Sequence, residues 1–227
     1  MTRQSYATEI RIIRLMCTGR ADLAFVFRAF SKGADGVIIG GCWPGECHYV
    51  TEGNYDALGN MLLGKKLMEH VGVSPDRLRL EWISAAEGNR FAEIMSDFAG
   101  QLTELGPLGE GEGIEPPDLK IKLESLSQLV PFVKLVEREK FRVSEKKEEA
   151  YHAFYESDEV NRLFKDILAE KLDASQALML LKDRPHSVRD ISERLGLSPS
   201  VVSKHMNNSS RQGLVRYDLD QQCYALA

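Results

Sequence analysis

The chain has 227 residues, 43% apolar and 28% charged, ordinary globular usage that excludes a disordered, collagen-like or fibrous protein and allows one or two domains. A net charge of −5 excludes a protein that is a nucleic-acid binder along its whole length. Four cysteines are too few for a disulfide framework. With no apolar run long enough to span a bilayer and no secretion signal at Met1, a soluble cytoplasmic protein is expected.

The first part of the chain alternates between two periodicities. Ile10-Arg-Ile-Ile-Arg-Leu15 is a β-branched run suited to a strand. Leu23, Val26, Phe27 and Phe30 then recur at helical spacing, with Gly33 placed to end the helix. Gly36-Val-Ile-Ile-Gly40 is a continuous apolar run, as in a strand buried on both faces. Tyr55 to Val71 is helical again, Leu78-Arg-Leu-Glu-Trp-Ile83 reads as a third strand, and Glu87 to Leu105 as a third helix. Strand followed by helix, three times over, predicts a small α/β domain with a parallel sheet and βαβ crossovers over residues 1–105.

The Gly-, Pro- and acid-rich stretch Gly106 to Pro117 has little with which to build a core, so a mobile linker is expected over 106–118. A helical connector follows over 119–173, interrupted by Pro131, and its charged run Glu137 to Glu149 is expected to face solvent. Residues 174–227 change rhythm. A helix over Ser175 to Lys182 is followed by one over Ser187 to Leu195, a turn at Gly196, and a third helix opened by Ser198-Pro199. Two short strands, Leu214 to Asp218 and Cys223 to Leu226, complete a winged helix-turn-helix.

In a parallel sheet all strand C-terminal ends lie on one edge, where ligands bind. Cys17 follows the first predicted strand and Cys42 the second, in Gly40-Gly-Cys-Trp-Pro-Gly-Glu-Cys47-His48. The topology therefore delivers Cys17, Cys42 and Cys47 to one place, amid glycines that let backbone amides approach sulfur closely. Zinc held by these three and His48, or an iron–sulfur cluster, both match the donor types, and spacing alone does not choose between them. No Ser-His-Asp or paired-carboxylate arrangement points to a hydrolase.

Arg11-Ile-Ile-Arg-Leu-Met-Cys17-Thr-Gly-Arg20, Gly33-Ala-Asp-Gly-Val37, Gly41-Cys42-Trp-Pro-Gly-Glu-Cys47-His-Tyr49, Gly53-Asn54 and Leu78-Arg-Leu-Glu-Trp-Ile-Ser84 resemble the delta subunit of methyl-viologen-reducing hydrogenases. The resemblance covers residues 10–105. It implies a [2Fe-2S] cluster with Cys17, Cys42 and Cys47 as ligands. It also implies a non-catalytic role, relaying single electrons between a hydrogenase or dehydrogenase subunit and a flavin subunit of a heterodisulfide-reductase-like complex. Family members usually carry a further strand and a Cys-x-x-Cys pair ahead of this region. A fourth ligand is accordingly expected from an upstream segment or a neighbouring subunit, Cys223 lying in the wing.

In a winged helix the third helix enters the major groove. Ser200, Ser203, Lys204, Asn207 and Arg211 would meet DNA there, with Arg216 of the wing on phosphate. Residues 174–227 hold seven Lys and Arg against five Asp and Glu, a weak electrostatic footprint for DNA. The alternative function is a redox- or metal-sensing transcriptional regulator. A zinc-stabilised scaffold is a third.

Overall fold

Asp22 accepts a hydrogen bond from the Ala24 N–H at 2.9 Å and so caps α1 (Leu23–Ser31), which buries Leu23, Val26, Phe27 and Phe30 along one side. The structure, a computed structural model, describes residues 9–50 and 52–227. Gly33, at φ +87°, turns the chain toward β1 (Val37–Gly41). α2 (Asn54–His70) crosses over, β2 (Leu78–Trp82) follows, and α3 (Gly88–Leu105) closes the unit. The strands pair in parallel, from Val37 opposite Leu78 to Gly41 opposite Trp82.

The expected first strand does not form. Residues 10–16 are in no strand, and Ile13 and Met16 are 82% and 98% exposed. A β-branched run becomes a strand only where it joins a backbone ladder, and among the described residues the ladder of β1 and β2 does not include this run. Among the described residues the parallel sheet has two strands rather than three.

The segment 106–118 is not a mobile linker either. Arg77 is 0% exposed and donates to the carbonyl oxygens of Asp35 (3.1 Å), Leu105 (3.3 Å), Gly106 (2.9 Å) and Pro107 (3.3 Å). It also pairs with Glu112 at 2.6 Å. Glu112 accepts from the backbone N–H groups of Ser74 (3.2 Å) and Gly109 (2.8 Å). Burial works against its charge, but Arg77 and these N–H groups hold its carboxyl below the usual range. A Cβ on Gly111 would lie 1.9 Å from the Leu105 carbonyl oxygen. Close approach, not flexibility, is the reason for glycine there.

α4 (Pro116–Lys140) passes through Pro131 without a break. Proline sacrifices one helical hydrogen bond, but Val130, Val133 and Val136 around it are buried, and tertiary packing keeps the helix whole. α5 (Glu148–Glu156), α6 (Asp158–Leu163) and a π-helical turn (Phe164–Ala169) lead into α7 (Glu170–Leu180). Leu123, Leu126, Leu129, Val133 and Tyr155 join Leu23, Phe27, Leu63 and Leu78 in one hydrophobic core. That core reaches from the βαβ unit into the region read as a separate connector. A second core gathers Leu180, Ile191, Val202, Met206 and Val215, and takes in Ile121 of α4.

The winged helix-turn-helix forms as expected. α8 (Val188–Leu195) opens with a reciprocal capping box between Ser187 and Asp190 and ends on left-handed Gly196. α9 (Pro199–Arg211) starts at the Ser198 cap with Pro199 in its first turn. β3 (Val215–Asp218) and β4 (Cys223–Leu226) pair antiparallel, and His186 exchanges two backbone hydrogen bonds with Tyr224 (3.0 and 2.8 Å). The wing module is tied to the rest by His70 Nε2 against Asp173 Oδ1 at 2.7 Å and by Arg194 Nε donating to Asp118 at 2.9 Å. Among the described residues no helix is long and apolar enough to cross a membrane.

Glu137, first of the charged run expected to face water, turns inward. Its Oε1 packs beside Gly59, where a Cβ would lie 3.7 Å from it at ordinary contact distance and a tighter 3.3 Å from the Tyr155 hydroxyl. Burial, then the nearby Asp56 carboxylate, pushes the Glu137 carboxyl up to about 7, with Asp22 adding to the rise and Lys134 and Arg138 opposing it.

Two outcomes are expected. Arg77→Met strands the Glu112 carboxylate without its partner and should lower the unfolding free energy by about 3–5 kcal/mol, read by urea denaturation. Glu137 binds its proton more tightly in the folded chain than in the unfolded one, so its cost to stability appears as pH rises from about 4.5 to about 7. Glu137→Gln should remove that slope and stabilise the protein above pH 7 by up to about 3 kcal/mol, read as the difference between the two stability–pH curves.

Candidate functional site

The C-terminal ends of β1 and β2 meet at Gly41 and Trp82, and the Ile83 N–H donates to the Gly41 carbonyl at 2.7 Å. Cys42 is the next residue after β1. Cys17 opens the short 3-10 turn Thr18–Arg20, whose Arg20 N–H returns to the Cys17 carbonyl at 3.0 Å. That turn lies close against the start of α2: a Cβ on Gly19 would be 2.2 Å from the Glu52 carbonyl oxygen. It also touches β1, since a Cβ on Gly41 would be 3.2 Å from Thr18 Oγ1. Glycine at both positions is what lets three separate loops converge.

Cys47 Sγ donates to the Tyr49 carbonyl at 3.4 Å, and the backbone of Asn54 and Tyr49 and the Cys42 and Cys17 thiols, as donors, favour its charged form. Burial opposes its charge, yet these donors together hold the Cys47 thiol below its ordinary value. Burial, then the hydrogen bond to Cys47, pushes the Cys42 thiol the other way, up to about 11. All three are half-buried. Cys223 lies apart, in β4 of the wing.

The loop between Cys42 and Cys47 is held from two sides. The Trp43 indole N–H donates to Glu87 at 2.8 Å, and the same carboxylate accepts the Ser84 N–H at 2.6 Å. Those two hydrogen bonds hold the Glu87 carboxyl below its usual range. Arg90 lies 5.0 Å over the Trp43 ring. On the other side Asn54 Nδ2 donates to the carbonyls of Cys42 and Trp43, each at 3.0 Å. Neither Asn54 nor Glu87 stands out by residue type or spacing. Only the fold shows that both reach one loop. His48 is exposed, and its ring meets the edge of Tyr49 at 5.2 Å between centroids.

Three adjacent thiols, low in steric bulk and rich in amide donors, have the chemistry of an iron–sulfur ligand set. They are one short of four. Among the described residues no group of three or more His, Cys, Asp or Glu side chains is already spaced to hold a metal ion. The fit is thus one of donor type and neighbourhood.

Of the six residues expected to face DNA, five lie on α9 and Arg216 lies on β3. Ser200, Lys204, Asn207, Arg211 and Arg216 are exposed and Ser203 is half-buried. Lys204 is engaged by Glu170 of α7 at 2.5 Å, Ser200 by Ser198 at 3.0 Å, and Asn207 accepts from the Tyr224 hydroxyl at 3.5 Å.

Residues 1–106 match the family described as methyl-viologen-reducing hydrogenase, delta subunit. Residues 173–217 match the bacterial regulatory proteins of the arsR family. The iron-sulfur subunit of an F420-non-reducing hydrogenase from Archaeoglobus profundus is 48% identical over 105 residues, 46% of this chain and 76% of that protein. The corresponding vhc iron-sulfur subunit from Methanococcus voltae is 43% identical over 105 residues, covering 72% of it. One component of a ferredoxin/F(420)H(2)-dependent CoB-CoM heterodisulfide reductase from Methanosarcina acetivorans is 47% identical over 109 residues, which are 14% of that longer protein.

Proposed function

The chain belongs to the methyl-viologen-reducing hydrogenase delta-subunit family through its N-terminal half, and on that premise we propose that it relays single electrons through a [2Fe-2S] cluster at Cys17, Cys42 and Cys47. The observation that carries this reading is the close packing of the Cys17 turn and the Cys42–Cys47 loop at the C-terminal edge of the parallel pair. A cluster there would supply one-electron oxidation and reduction. The chain's own part is to hold it by three thiolates and to direct the backbone N–H groups of Asn54 and Tyr49 at the Cys47 sulfur. Such donors stabilise negative charge on sulfur and raise the potential. The electron would come from a hydrogenase or dehydrogenase subunit and leave to a flavin subunit of a heterodisulfide-reductase-like complex. The names of the relatives, components of hydrogenases and heterodisulfide reductases, support those partners. The protein itself makes and breaks no covalent bond of a substrate.

Anaerobic reconstitution of the full chain with ferrous iron and sulfide tests the reading. Visible absorbance that bleaches on dithionite reduction, with an EPR signal of a reduced cluster, is expected. Serine at Cys17, Cys42 or Cys47 should lower iron retention about tenfold or more, and Cys223→Ser should leave it unchanged. A colourless protein that takes up only zinc would overturn the assignment.

A second reading, a DNA-binding regulator responsive to the sulfur site, is favoured by the arsR-type match and the exposed face of α9. It requires salt-sensitive retention of duplex DNA, and Arg216→Ala should reduce the slope of log affinity against log salt by about 1. An unchanged slope would remove Arg216 from any such interface.

A further inference from the structure

Asn54 is 1% exposed, although it is the first residue of a helix that begins beside half-exposed loops. At such a position asparagine ordinarily caps its own helix or faces water. Here its side chain does neither. Both hydrogen bonds of Nδ2 leave the helix, to the carbonyls of Cys42 and Trp43 at 3.0 Å each. Its backbone N–H meets the sulfur of Cys47. One residue thus touches both ends of the Cys42–Cys47 loop.

The preceding residue shows how close the approach is. A Cβ on Gly53 would lie 2.2 Å from Cys47 Sγ and 2.5 Å from the Tyr49 carbonyl oxygen. Any other side chain at 53 would drive α2 and the cysteine loop apart. The chemistry at 54 is equally restrictive. Two carbonyl oxygens need two donors from one atom, which an amide nitrogen supplies, a carboxylate does not, and a serine hydroxyl with its single hydrogen cannot.

We propose that Asn54 is the positioning residue of the sulfur site, clamping the Cys42–Cys47 loop onto α2 so that the Cys42 and Cys47 sulfurs face one centre. The assignment rests on the electron-relay reading for its consequence on the cluster, but the clamp acts in the metal-free chain as well. Loss of the amide leaves two carbonyls without their donor and frees the loop. Asn54→Asp is the sharper variant. It keeps the volume, the backbone N–H and a residue favourable at a helix N-terminus, and it replaces the donor by a carboxylate oxygen that faces the two carbonyls as one acceptor faces another.

The test compares the full chain with Asn54→Ala and Asn54→Asp, without metal, at one fixed pH. Iodoacetamide labelling of each cysteine is followed by mass spectrometry, with Cys223 in the wing as an internal control of folding. Cys42 is expected to label about tenfold faster in both variants while Cys223 is unchanged. After reconstitution both variants should retain less iron, and any cluster formed should have a lower midpoint potential, because the N–H aimed at Cys47 is no longer held there. Equal Cys42 labelling in all three proteins would overturn the proposal. So would an Asn54→Asp variant that behaves as the parent, since volume rather than donation would then suffice. A variant in which Cys223 also labels faster has lost the fold, and the remaining variant decides. If the parent chain takes up no cluster the relay reading fails, and the labelling still decides the clamp.

Discussion

A guanidinium sealed from water dictates how this chain is put together. Arg77 stands just ahead of β2, and from there it gathers the carbonyls that end α3, one that precedes β1, and the carboxylate of Glu112. A buried cation is tolerated only when its donors are met, and here the backbone itself meets them. The segment after α3 must wrap around Arg77, which aims α4 back across α1 and α2. The joint core of the two halves follows from that turn.

Convergence governs the sulfur edge as well. Two parallel strands end side by side, and three loops are drawn in by glycines at 19, 41 and 53. Asn54 and Glu87 then fix the loop that carries two of the cysteines. Glu87 works through Trp43 from beyond β2, and Asn54 through the carbonyls from the start of α2. Backbone and thiol donors around Cys47 favour charge on its sulfur against the cost of burial.

What is legible in the sequence is what local chemistry decides. Asp22, Ser187 with Asp190, and Ser198-Pro199 announce their helices, and Gly33 and Gly196 end them, because caps and left-handed turns depend on a few adjacent residues. The place of Cys42 just past β1 is legible for a different reason, since parallel strands share a C-terminal edge, whereas Cys17 follows no strand and its turn is brought in by the close packing at Gly19. The failures all involve distant partners. Ile10 to Leu15 has the composition of a strand, yet it joins no sheet among the described residues. Gly106 to Pro117 has the composition of a linker, and its hydrogen bonds to the buried Arg77, far upstream, are not visible in that composition. Pro131 would break an isolated helix, yet α4 is not isolated. Asn54, by residue type, is one more polar side chain at a helix start.

Because α4 contributes Ile121 to the core of the wing module and Leu126, Leu129 and Val133 to the core beneath the sulfur edge, the halves share a thermodynamic fate. A molecule that binds only the folded form at either end adds to the free energy of unfolding of the joined unit, by about 2.7 kcal/mol when present at a hundred times its dissociation constant. Linkage is reciprocal: occupancy at the thiols protects α9 against opening, and a load on α9 protects the thiols. Fusion through a shared helix makes each half a chaperone of the other's native state.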